Sequence, residues 1–210
     1  MGAGVLQGEN LMFKYLIAAI TLAVASPAAA LVVYDETTKN LAVSGATTNY
    51  QATEVYRYMR NNDVLSVTLS GNGGEYYAGL RLGGLIKAEG ATVIIPAGTT
   101  CVSSCAFAAL GADKIIVDGE LWFHAPFLMA VPTNVSILEI TQMFGRAYVD
   151  MVTYLISMGV PTSFGYDIMV QTTTGKFIVI DDGYQIDRMR ATEALWGKAV
   201  YEYRYATAGR

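Results

Sequence analysis

The five residues Ser70-Gly71-Asn72-Gly73-Gly74 constrain this chain more than any others. Three glycines in so short a run mark backbone that must go where a side chain would not let it. They stand between Val64 to Leu69, an apolar strand candidate, and Glu75 to Glu89, where Ala78, Leu82, Leu85 and Ile86 recur at helical spacing. Gly90, the preferred residue just past a helix C-terminus, ends that helix, and Ala91 to Ile95 follows as a buried strand. Strand, glycine turn, helix, strand is a crossover unit, and crossover units build parallel sheets.

The same grammar runs along the chain. Leu41 to Val43 reads as a short strand and Tyr50 to Met59 as a helix; Cys101 to Gly111 is a compact stretch of small residues. Lys114 to Val117 and Glu120 to His124 are strands joined through Asp118-Gly119, a hairpin signal. Ser136 to Met158 predicts a long helix, Pro161 opens another that reaches Gln171, Lys176 to Ile180 is a strand, and the tail is rich in Tyr and Arg. No repeat, low-complexity linker or Pro-rich boundary divides residues 31–210, so one α/β domain is expected. With 53% hydrophobic and 15% charged residues the chain is not disordered or coiled-coil. The net charge of −4, with no run of Lys or Arg, argues against a nucleic-acid partner. One His and two Cys exclude a His-cluster or Cys-rich metal site.

The N-terminus has its own logic. Met12-Phe13-Lys14 precedes the apolar run Tyr15 to Ala25, and Ser26-Pro27-Ala28-Ala29-Ala30 follows. A basic start, an apolar core and an A-x-A end read as a signal peptide over residues 1–30, cut after Ala30, which places the domain in the periplasm or outside the cell. The alternative is an uncleaved anchor, because Tyr15 to Tyr34 carries no charge and about 20 residues span a bilayer. Membrane contact is expected only in that case.

Three features converge on chemistry: the Gly73-Gly74 turn after one strand, Ser103-Ser104 at a helix start after the next, and the only imidazole, His124, at the end of a third. Strand C-terminal ends of an α/β sheet share one edge, where ligands bind. A serine becomes a nucleophile when a base takes its proton, and imidazole is the usual base near neutral pH. A glycine turn and the amide after a helix-starting serine can offer the two N–H donors that an oxyanion needs. Each feature also has a plainer reading: a tight turn, a helix cap at Ser103 and a core histidine at position 124. Ser104 is a rival nucleophile. Cys101 and Cys105, four apart, can form a disulfide, pack as buried thiols or supply a thiol nucleophile.

Ser103-Ser104-Cys105-Ala106-Phe107 resembles the nucleophile helix of the Clp-type serine peptidases, where Ser is followed by Met-Gly-Ala-Phe, and Ser70 to Gly74 is similar to their Asn-Ser-Pro-Gly-Gly turn. Gly74 precedes Ser103 by 29 residues, the family's own spacing, and Trp122-Phe123-His124-Ala125-Pro126 matches the family's Met-Ile-His-Gln-Pro. Cys101-Val102-Ser103-Ser104-Cys105 resembles the Cys-Ala-Ser-x-Cys signature of exported bacterial Clp-like proteins. The resemblance covers Leu41 to Pro126 and fades beyond Met158. It implies a Clp/crotonase-type superhelix of ββα crossover units with a helical C-terminal region. It also implies a cofactor-free serine peptidase or hydrolase of peptide or acyl substrates, and a homo-oligomer. Ser103 takes the nucleophile position and His124 the base, with the Gly74 and Ser104 amides at the oxyanion hole. The acid departs from the pattern: alignment on Lys176-Phe177-Ile178 puts Gln171 at its position. Asp167, one helical turn earlier, is the replacement candidate, with Asp181 and Asp182 more distant. A chain that has lost its acid can also be a degenerate Clp-like binding or assembly protein, and the paired-amide hole is shared with crotonase-type acyl-CoA enzymes.

Overall fold

The computed structural model describes residues 30–128, 134–173, 175–194 and 204–207; the expected signal peptide, apart from Ala30, lies outside the described residues. Strand β1 (Leu31–Asp35) pairs antiparallel with β2 (Asn40–Thr47), and helix α1 (Asn49–Asn61) crosses from β2 to the parallel strand β3 (Ser66–Gly74). Thr48 starts α1 by accepting the Gln51 amide on its side chain. Helix α2 (Tyr76–Glu89) follows and stops at Gly90, whose φ of 66° turns the chain out of the helix.

Strand β3 forks the sheet. Its first half, Ser66 to Thr68, pairs with β4 (Thr92–Ile95), while Gly71 near its end pairs with β5 (Thr100–Val102). The short helix α3 (Ser104–Ala109) leads to β6 (Ile115–Val117), parallel to β4, and then to β7 (Glu120–Phe123), parallel to β5. The hairpin expected at Asp118-Gly119 is therefore absent. Both amides donate to Ile95 O at 3.0 Å, and Glu120 N–H donates to Thr99 O at 3.1 Å, so the step from β6 to β7 runs alongside the step from β4 to β5. A Cβ on Gly119 would lie 2.4 Å from both Pro96 O and Thr99 O. Close backbone approach, not hairpin reversal, is what that glycine serves.

The C-terminal part covers the other end. Helices α4 (Ile137–Ser157) and α5 (Thr162–Gln171) precede β8 (Lys176–Ile180), which runs antiparallel to β7. The tail rich in Tyr and Arg holds helix α6 (Gly183–Ala194) and strand β9 (Arg204–Thr207), antiparallel to β8. The described residues thus form a mixed α/β fold with a largely parallel nine-stranded sheet and six helices. Leu41, Val43, Val67, Leu69, Val93 and Ile95 meet Val55, Met59, Leu82 and Ile86 in the core. Burying each such side chain is worth about 1.5–3 kcal/mol. Among the described residues no helix is long and apolar enough to cross a membrane.

Candidate active site

Strand β5 ends at Val102 and α3 begins at Ser104, so Ser103 alone must turn the chain from strand to helix. It does so at φ 57°, ψ −123°, in the left-handed half of backbone space. For a residue with a Cβ this costs about 1–3 kcal/mol. Ser103 stands at the N-cap position of α3, yet its side chain makes no capping bond. The helix-cap reading therefore has no support. Such a turn exposes its hydroxyl at the end of the sheet, and Ser103 does border a cleft there, about 610 Å³ in volume. Ser104, the rival, is buried and pressed against α2: a Cβ on Gly79 would lie 2.7 Å from its own Cβ.

The glycine turn is built around this serine. A Cβ on Gly73, at φ 81°, would come within 2.6 Å of Val102 O and 2.7 Å of Ser103 Cβ, so only glycine lets β3 pass so close to the turn. Gly74 pairs in register with Thr47, and the next amide, Glu75 N–H, donates to Thr47 O at 2.8 Å. Successive residues of a strand turn their N–H groups to opposite neighbours. The Gly74 N–H is thereby left on the side away from β2, where β5 and Ser103 lie.

His124 arrives by register. Val102 pairs with Trp122, and Ser103 N–H donates to Trp122 O at 2.7 Å, which brings the residue just past the end of β7 to the same cleft. The imidazole is buried, with the rings of Phe127 and Phe177 each 5.3 Å away. Burial lowers its pKa from the ordinary 6.5, opposed by one backbone hydrogen bond. That bond joins Nδ1 to Ala125 O at 2.7 Å. A carbonyl oxygen only accepts, so Nδ1 carries the proton and Nε2 keeps a free lone pair. Ser103 Oγ and the ring share the cleft without a hydrogen bond between them.

No carboxylate comes to the imidazole from the sequence candidates. Asp167 accepts from Gln171 Nε2 at 2.8 Å, one turn along the same face of α5, and Gln171 in turn accepts from Tyr205 on β9. Asp181 pairs with Arg204 at 3.1 Å, and Asp182 accepts the Tyr184 amide at 2.9 Å. The residue that reaches the histidine segment is Thr172, just past α5. Its hydroxyl accepts from Ala125 N–H at 2.8 Å and donates to Ile168 O at 2.5 Å. Thr172 thus holds the peptide that joins His124 to Ala125, the residue whose carbonyl orients the imidazole. Sequence reasoning missed it, and its one trace was its place beside Gln171.

These contacts separate two variants. Thr172→Val keeps the shape and orphans the Ala125 amide, so about 1–3 kcal/mol of stability is expected to go, with turnover down about tenfold and KM little changed. Thr172→Ser is expected to restore turnover, while Asp167→Asn leaves it within about twofold, since its partner is Gln171. Steady-state kinetics with urea denaturation check all three.

Cys101 and Cys105 form a disulfide with α-carbons 5.2 Å apart, which removes the thiol-nucleophile reading. Below the site, Tyr76, Phe107, Phe123 and Phe164 stack edge to face, with successive ring centres 5.1–6.1 Å apart.

No protein-family model matches the chain, and no curated protein does. Among solved structures it is similar to a serine-to-alanine mutant of 1510-N, a membrane-bound stomatin-specific protease. The TM-score is 0.50 and the identity 14%, over 71% of this chain and 74% of that one. At that identity the likeness concerns the fold.

Proposed function

We propose that this chain is an exported serine hydrolase acting on peptide or acyl substrates, built on a Clp/crotonase-type superhelix of crossover units. The observation that carries the reading is Ser103 itself: a strained, uncapped serine on a strand-to-helix turn, in one cleft with the only histidine. In this reading Ser103 Oγ attacks the substrate carbonyl while His124 Nε2 takes its proton, then returns it to the leaving group. The Gly74 amide faces the Ser103 side of β3, and the Ser104 amide, at the first turn of α3, has no acceptor within the helix. Together they are suited to hold the oxyanion. The fold shared with a protease supports the peptidase choice at the level of architecture. A disulfide beside the site suits an oxidising compartment.

The lack of a carboxylate at His124 among the described residues has a bounded cost. In a Ser-His-Asp triad, replacing Asp by Asn costs about 10⁴-fold because the imidazole takes the wrong tautomer. The Ala125 carbonyl imposes the right tautomer and lacks only the negative charge that would stabilise the imidazolium.

The test is labelling by a fluorophosphonate probe, followed by mapping of the modified residue and of the rate against pH. Modification at residue 103 is expected. The neutral imidazole is the reactive form, so the rate should fall with acid only below pH 6.5, because burial holds the His124 pKa under that of free imidazole. Stability should follow the same sign. The unfolded chain takes the proton first, so stability declines as pH drops from 6.5 toward the folded pKa and is fully present above. A wild-type protein inert to every probe and ester would instead mark a Clp-like binding or assembly protein, a reading favoured by the lack of a carboxylate at His124 among the described residues.

A further inference from the structure

We propose that the Cys101–Cys105 disulfide is a positioning device for Ser103, a cross-link that keeps the strand-to-helix turn in the conformation the nucleophile needs; this rests on the hydrolase reading of Ser103. The bridge joins the middle of β5 to the second residue of α3 and encloses Val102, Ser103 and Ser104 in one covalent ring. Both cysteines are buried, at 0% and 4% exposure, beneath the cleft that Ser103 borders.

The ring answers a specific need. Free of constraint, a serine before a helix adopts negative φ and turns its hydroxyl onto the helix amides as a cap. The hydrogen bonds around Ser103 oppose this only in part. Its N–H is held by Trp122 O at 2.7 Å and its carbonyl by Phe107 N–H at 3.0 Å, which fixes the two flanking peptides and leaves the rotation between them. Gly73 walls one side. The disulfide supplies the remaining restraint, since a fixed span from Cys101 to Cys105 removes the conformers in which the turn opens.

Placement also argues against a general stabilising purpose. The stabilisation from a cross-link grows with the logarithm of the loop it closes, so a sequence separation of 4 is near the bottom of that scale. Burial of both sulfurs makes the bridge a fixed part, closed to a reductant unless α3 lifts.

The decisive comparison is the full chain against its Cys101→Ala/Cys105→Ala variant, read by fluorophosphonate labelling rate, thermal midpoint and amide hydrogen exchange over residues 102–105. Labelling is expected to slow by about 10- to 100-fold, exchange at the turn to quicken, and the midpoint to fall by less than about 5 °C. Reducing the wild type with a phosphine in denaturant, where the bridge is exposed, and refolding it with both thiols kept reduced should give the same slow species. The phosphine supplies two electrons and leaves as its oxide with oxygen from water, the S–S bond breaks, and two thiols remain. Oxidised glutathione, taking the two electrons back, should restore the rate. This route also serves if the double variant does not fold. Labelling at the wild-type rate in both the variant and the reduced protein overturns the proposal, as does a loss no greater than the fraction unfolded. If the oxidised wild type takes no probe, the hydrolase reading falls, and exchange alone decides the bridge: quickened exchange keeps its hold on the turn, unchanged exchange overturns it.

Discussion

Replacing Ser103 by alanine is expected to abolish probe labelling and to cut hydrolysis by about 10⁴- to 10⁶-fold, with the fold retained. The hydroxyl makes no capping bond, so its removal orphans no partner inside the protein. Ser103→Gly should be equally inactive and yet the more stable of the two. Glycine adopts the φ of 57° at this position without the steric cost that alanine keeps, and part of that gain is offset by the freer unfolded chain. A difference of about 1 kcal/mol in urea denaturation is the expected size. Equal activity in the wild type and Ser103→Ala would remove Ser103 from the chemistry, and a less stable glycine variant would remove the strain.

Gly73→Ala should damage the site and the fold together. The new methyl would stand 2.6 Å from Val102 O and 2.7 Å from Ser103 Cβ, at a φ of 81° that alanine adopts poorly. Its nearest obstacles are backbone and the β-carbon of Ser103, so no flexible side chain can yield. A loss of about 2–4 kcal/mol is expected, along with at least about 100-fold in labelling rate, because β3 and the turn must separate. Gly84→Ala is the control. That position lies within α2 with nothing within 4 Å of the new methyl, and alanine should stabilise the helix by about 0.5–1 kcal/mol. Thermal denaturation of the two variants beside labelling rates separates a local clash from a general intolerance of glycine substitution.

The parts of this molecule that the sequence makes legible are those written in side chains and periods. Val64 to Leu69 running into glycines, then Ala78 to Ile86 at helical spacing, spell out a crossover, and β3 and α2 stand there. Asp118-Gly119 misleads because its hairpin signal is local chemistry, while the pairing of β6 with β4 and β7 with β5 is decided by strands some twenty residues away. The orienting partner of His124 is out of reach for another reason. Every residue carries a backbone carbonyl, so the one on Ala125 leaves no mark in the sequence, and a search for a carboxylate passes over it to Asp167. Thr172 escapes in the same way, as its role exists only once α5 ends beside the segment after β7.

The seat of His124 is made from late sequence, and this sets an order in time. Ser103, its disulfide and the glycine turn all lie within residues 71–105, and β2 through β5 can pair as soon as that length of chain is available. The imidazole waits for Phe177 to cover it and for Thr172 to hold the peptide beside it, about fifty residues further on. A chain made from its N-terminus folds its early units first. The turn at Ser103 is therefore shaped while the imidazole of His124 is still unseated, and the two share a finished cleft only once nearly all of the chain has been made.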